Sequence, residues 1–256
     1  MKKEFSIIIP WCGGDIQREK NLNILLDCIE QQTHVNFEIV IVEQSSMIEG
    51  ASPVSSVIGP RKLRDILLTH NSGCFNKSWC MNVGVRSSTF DDLIFIDADM
   101  MFPTDFLDII NEHIKITPPP YNKVMICWDV LIALAGRDNP EERHILSTNL
   151  KTLGGVWYCN KDFYWNKLGG MNENFCGYGG EDNDAHDRAE FILQKEIVRL
   201  NYTLKHQYHD WAEQSNVAMR FADLTRNHTN TIIQLLKNSE LGKMSGPTLI
   251  NLENLN

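Results

Sequence analysis

Two carboxylates, Asp97 and Asp99, follow directly on the apolar run Leu93-Ile94-Phe95-Ile96. A short apolar run bounded by polar residues reads as a buried strand in a parallel or mixed sheet. Ligands of such sheets gather at the carboxyl ends of the strands. Alternation along a strand turns residues two apart to the same side. Two carboxylates on one side repel unless a cation lies between or beside them. Hard oxygen donors favour Mg2+, Mn2+ or Ca2+. A solvated acidic turn is the competing reading, because D-x-D is a short pattern.

A second acidic cluster, Asn172 to Asp184, is the most specific stretch of the chain. Gly177, Gly179 and Gly180 allow a sharp turn or close approach to a ligand. They deliver Glu181 and Asp182 to a helix start, where the dipole favours ionised carboxylates. A carboxylate kept ionised beside a bound sugar can take a proton from an incoming hydroxyl. A glycine-rich turn with an acidic cap explains Asn183 or Asp184, but not the whole run.

His206-Gln207-Tyr208-His209 follows a strand pattern, and imidazole beside carboxylate suits Mn2+. A lone histidine is more often a satisfied structural group, and His186 is expected to face solvent or cap a contact. The stretch Asn71 to Ser78 either contacts phosphate or sugar through amides and Lys77, or simply caps a helix. No phosphate-loop, dinucleotide, nucleophile-elbow or zincin pattern occurs.

The 256 residues suffice for one large α/β domain with a full core. A net charge of −9 argues against a nucleic-acid surface or an anionic membrane as partner. Seven cysteines without a C-x-x-C pair read as reduced, mostly buried thiols rather than a disulfide framework or zinc site. The amino-terminal apolar run is too short for a signal or a membrane span, so a cytoplasmic location, including the inner membrane face, is expected.

The elements that must position these groups alternate. Strands are expected at 5–10, 37–43, 64–70, 123–128, 154–159 and 199–206, besides the one ending at Asp97. Helices are expected from Asn21, after a cap at Asn76 or Ser78, and over 104–115, 161–167, 185–196 and 229–237. Residues 47–60 read as loop, 136–148 as a mobile loop, and the tail beyond Gly246 as loosely held. The order implies α/β architecture in one domain.

In sequence order, Ile7 to Pro10, Phe37 to Gln44, Phe75-Asn76-Lys77 with Asn82-Val83-Gly84, Phe95 to Asp99, Gly154-Gly155-Val156 and Gly177 to Asp184 resemble the GT-A glycosyltransferases. The likeness is to the β-1,4-galactosyltransferase family and to bacterial family two enzymes, including chondroitin-polymerase-type modules. It runs from residue 5 to residue 236, and G-Y-G-G-E-D-x-D is its most specific part. It implies a Rossmann-like mixed sheet flanked by helices, with a nucleotide-binding half over 1–100, an acceptor half over 101–236 and a tail over 237–256.

The resemblance further implies an inverting, metal-dependent transferase for polysaccharide biosynthesis. Such an enzyme moves a Gal-, GalNAc-, GlcNAc- or Glc-type sugar from a UDP-sugar to a hydroxyl of an oligosaccharide, polysaccharide or glycolipid. Asp99 and His209 resemble ligands of Mn2+ or Mg2+, with His206 as a second histidine. Asp182 resembles the catalytic base, with Glu181 beside it on the sugar or acceptor. Pro10, Arg18, Glu43, Asn76, Lys77, Asp97, Gly155 and Tyr178 fall at positions around the donor and its nucleotide. The chain departs from the galactosyltransferases at Trp11 to Gly14, where arginines are usual, and at Cys176, where a tryptophan is common. Both departures leave donor and acceptor identity open. A GT-A-like nucleotidylyltransferase and an inactive nucleotide- or carbohydrate-binding module are the rival readings.

Overall fold

Strand β1 (Phe5–Trp11) is buried at every residue, as a strand covered on both faces must be. In the computed structural model, which describes residues 2–12, 16–44, 61, 63–68, 74–127, 130–134, 143–146, 154–177, 179–200, 202–209 and 223–252, it lies inside a seven-stranded sheet. Its parallel neighbours are β2 (Phe37–Gln44) and β4 (Asp92–Ile96), and β3 (Arg64–Leu68) extends the sheet beyond β2. On the other side of β4 runs β9 (Val156–Asn160), antiparallel to both β4 and β6 (Val124–Ile126), and β10 (Val198–Arg199) ends the sheet. The carboxyl ends of β1, β2 and β4 therefore share one edge with the start of β9. Asp97 and Gly155 meet there, the Asp97 amide donating to the Gly155 carbonyl at 2.8 Å.

Helix α1 (Ile16–Glu30) buries Leu22, Leu25, Leu26 and Ile29, the expected apolar stripe, and begins before the expected start at Asn21. Helix α2 (Lys77–Ser87) packs Trp79, Cys80 and Val83 against Val40 and Val42 of β2. Gly84 permits this approach, since a Cβ there would lie 2.5 Å from the Ile8 side chain. Its cap is Asn76, whose Oδ1 accepts from the Trp79 amide at 2.9 Å. Helices α3 (Phe106–Ile116), α4 (Glu181–Leu193) and α5 (Thr229–Lys237) complete the flanking layer, and a π-helical turn spans Phe163–Leu168.

Four expectations need correction. The single strand expected over 199–206 is two: β10 ends the large sheet, and β11 (Thr203–His206) joins a second sheet with β5 (Met100–Met101), β7 (Val130–Leu134) and β8 (Arg143–Leu146). β8 also lies within the stretch expected to be a mobile loop, the remainder of which is outside the described residues, as are 47–60. The tail is docked as far as Leu252, the last described residue, where a loosely held segment was expected: Asn174 and the Ile250 backbone exchange two hydrogen bonds, and Ile250 and Leu252 are buried. Finally, Cys74 and Cys176 form a disulfide across 102 residues, with Cα atoms 5.9 Å apart, where only reduced thiols were expected. Cysteine spacing carried no sign of it, because folding alone brings the two loops together.

Candidate active site

The turn after β4 separates the two aspartates. β4 stops at Ile96, the Met100 amide donates to the Asp97 carbonyl, and β5 starts at Met100 in the other sheet. Strand alternation thus does not reach Asp97 and Asp99, and their side chains meet different partners.

Asp99 faces the histidines. β11 runs antiparallel to β5 and sets His206 opposite Met100. His206 Nε2 lies 3.4 Å from Asp99 Oδ1, and His209 Nε2 lies 3.1 Å from Asp99 Oδ2. The potential ligand atoms of the three residues fall within 4.8 Å of one another. Asp99 Oδ1 is buried without a hydrogen bond, as a carboxylate oxygen awaiting a cation is. One hard oxygen and two borderline nitrogens form a donor set that fits Mn2+. Burial opposes ionisation of Asp99, but His206 and then His209 outweigh it and hold the carboxyl below its ordinary range.

The loop carrying the histidines is pinned from two sides. The Gln207 amide donates to the Asp99 carbonyl at 2.7 Å, and its side chain donates to the Asn21 carbonyl at 3.0 Å. Asn21 in turn donates to the Tyr208 carbonyl at 2.9 Å. Asn21 and Gln207 are supporting residues that sequence reasoning missed. A buried asparagine opening the apolar stripe of α1 was the available signal.

Asp97 faces away, into a buried cluster around Lys77. Lys77 Nζ lies 2.8 Å from Asp97 Oδ1, 3.0 Å from Asp182 Oδ2 and 3.7 Å from Glu181 Oε1. Gly180 caps α4 at φ 91°, a left-handed conformation that favours glycine, so the two acidic residues enter the helix in its first turn. Behind them, Asp184 pairs with Arg188 of the same helix at 2.7 Å, and Arg188 ties α4 to the rest of the chain by donating to the Leu168 and Gly170 carbonyls.

Charge is crowded in this cluster. Burial favours the neutral form of Lys77, yet Asp182, Asp97 and Glu181 together push its amino group well above its ordinary value. Burial raises the carboxyl of Asp97, which Lys77 only partly offsets. Glu181 is pushed up to about 7, first by burial and then by the charge of Asp182. Asp182 Oδ1 and Glu181 Oε2 are buried and have no hydrogen-bond partner.

The remaining expected residues are spread around this edge. Gly155 donates its amide to Asp97 Oδ2 at 3.1 Å. Pro10 and Glu43 stand at the carboxyl ends of β1 and β2, one register step apart, and Arg18 lies on the first turn of α1. Burial raises the Cys12 thiol at the end of β1, with Arg18 opposing the shift and Glu43 adding to it. Asn76 is committed to the fold: besides capping α2, its Nδ2 donates to the Glu173 carbonyl at 2.8 Å. Tyr178 lies outside the described residues. Of the two alternatives for His186, facing solvent or a contact, the structure shows the contact: the ring is buried, 3.5 Å from Glu190.

Residues 6–120 match the glycosyl transferase family 2, and residues 142–210 match the family described as N-terminal domain of galactosyltransferase. The chain is 28% identical over 164 residues to beta-1,4-galactosyltransferase 4 of Cricetulus griseus, covering 59% of this chain and 42% of that protein. The crystal structure of S. aureus TarS is similar at a TM-score of 0.57 and 16% identity, over 91% of this chain and 42% of TarS, a likeness of fold. The chain thus spans less than half the length of either relative. Among the described residues, no helix is long and apolar enough to cross a membrane. With the seven-stranded mixed sheet and its flanking helices, these matches give the chain a fold of the GT-A type and a sequence likeness to the glycosyl transferase family 2 and to the galactosyltransferases.

Proposed function

We propose that this chain is a metal-dependent, inverting transferase that moves a Gal-, GalNAc-, GlcNAc- or Glc-type sugar from a UDP-sugar to a carbohydrate hydroxyl. One observation carries the reading: Asp99 with its histidines and Asp182 with its unpartnered Oδ1 stand on the same sheet edge, joined through Asp97 and Lys77. Donor-side and acceptor-side chemistry are thereby adjacent.

Asp99, His206 and His209 would hold Mn2+ or Mg2+, which supplies charge compensation for a diphosphate leaving group when bound. Pro10, Arg18 and Glu43 border the place for the nucleotide. Asp182 takes the proton of the acceptor hydroxyl as that oxygen attacks the anomeric carbon. Attack opposite the leaving group in one displacement inverts the configuration. Glu181, with Oε2 unpartnered, is placed to hydrogen-bond a sugar hydroxyl.

The test is UDP release in Mn2+ from a panel of UDP-sugars, UDP-galactose first, with and without oligosaccharide acceptors. Release stimulated by one acceptor is the expected result. Absence of release from every donor overturns the proposal.

A further inference from the structure

Lys77 reads from the sequence as a cation free to bind the donor. The structure spends it elsewhere. Its ammonium carries three donors, and three carboxylates surround it, the two nearest being Asp97 and Asp182. A donor phosphate would meet an ammonium already engaged by both of these.

The two oxygens of Asp182 are not equivalent. Oδ2 is held by Lys77 at 3.0 Å, and Gly154 lies beside it, where an added Cβ would be in ordinary contact at 3.5 Å. Oδ1 is buried and has no hydrogen-bond partner. The backbones that carry Lys77 and Asp182 are also tied together. The Cys74–Cys176 disulfide joins the segments that precede them, and the Gly177 amide donates to the Phe75 carbonyl at 2.9 Å.

We infer that Lys77 is a positioning residue for the base: it fixes Asp182 Oδ2 to Asp97 and leaves Oδ1 as the atom that accepts the proton. The inference rests on the assignment of Asp182 proposed above. As the hydroxyl oxygen forms its bond to the anomeric carbon, its proton passes to Oδ1. The electron pair of the bond to phosphate leaves with UDP. Lys77 gains and loses no proton and does not bind the diphosphate.

A double-mutant cycle tests this, with turnover and UDP affinity in Mn2+ measured separately for Lys77→Met, Asp182→Asn and the pair. Lys77→Met is expected to lower kcat roughly 100-fold, the scale of a misplaced general base. UDP affinity should stay within about threefold of wild type, and the substitution should cost little more once Asp182 is Asn, because residues acting as a unit are non-additive. Lys77→Arg should recover part of kcat by retaining the charge.

Weakened UDP affinity with normal kcat in Lys77→Met makes Lys77 a donor ligand and overturns the inference. A full loss repeated in the Asp182→Asn background makes it merely structural and does the same. Should Lys77→Met not fold, Lys77→Arg alone decides: lowered kcat at unchanged UDP affinity supports positioning, and lowered affinity overturns it. Normal turnover in Asp182→Asn instead overturns the assignment of the base, a result distinct from either.

Discussion

At Lys77 three carboxylates share one ammonium supplied by the chain itself, whereas at Asp99 a single carboxylate faces two imidazoles and keeps a buried oxygen without a hydrogen bond. The first cluster carries a counter-charge of its own, although Asp182 Oδ1 and Glu181 Oε2 keep no hydrogen bond. The second has, among the described residues, no lysine or arginine bridged to its carboxylate and presents three donor groups close enough to take up a cation. The difference separates two tasks that the D-x-D spacing alone merges. Asp97 belongs to the side held by the lysine and Asp99 to the side of the histidines, although only one residue stands between them.

The comparison breaks most severely at Asp99. Asp99→Ala should abolish Mn2+-dependent UDP binding and activity while the fold survives, because the residue lies in a turn beyond the end of β4. Calorimetric titration of UDP in Mn2+ checks it, and wild-type affinity in the variant would remove the metal assignment.

Next in size is Asp182→Asn, which should lower turnover at least ~100-fold, the lower end of what a positioned base contributes. Donor affinity should barely change, since Asp182 belongs to the Lys77 side. Near-normal turnover there, with turnover lost in Glu181→Gln, would transfer the role of base to Glu181.

His209→Ala should weaken Mn2+ affinity roughly 10-fold or more, the scale for loss of a ligand or its support. His206→Ala should match it if both imidazoles bind equally and fall short if His209 dominates. A manganese titration unchanged in both variants takes histidine out of the site.

A further effect, on stability rather than on binding or turnover, runs through Glu181. Its carboxyl ionises near 4.5 ordinarily and near 7 in the folded chain. Between those values the folded state holds more protons than the unfolded one, so this group makes stability fall as pH rises through that window. Glu181→Gln should remove the fall. Relative to wild type, the metal-free variant should gain Tm between pH 5 and pH 8, by at most about 3 kcal/mol of stability. A pH-independent difference in Tm would show that Glu181 is not crowded as described.

Much of this site is local in the sequence, and that part was legible. The apolar run of β4 ending in Asp97 and Asp99, the glycines before Glu181 and Asp182, and the pair His206 and His209 each form within a few residues. Hydrophobic periodicity and turn chemistry fix such segments without help from distant chain. The α5 helix at 229–237 was legible for the same reason.

Tertiary structure alone decided who faces whom. Lys77 and Asp182 are 105 residues apart, and only the docking of α2 and α4 at one sheet edge makes them partners. The break between β10 and β11 turns His206 toward Asp99, and no pattern in 199–206 announces it, because a strand's own residues do not specify which sheet it joins. The Cys74–Cys176 pairing and the docked tail follow the same logic. Sequence periodicity reports which face of an element is buried, whereas contacts between elements depend on packing of side chains far apart in the chain.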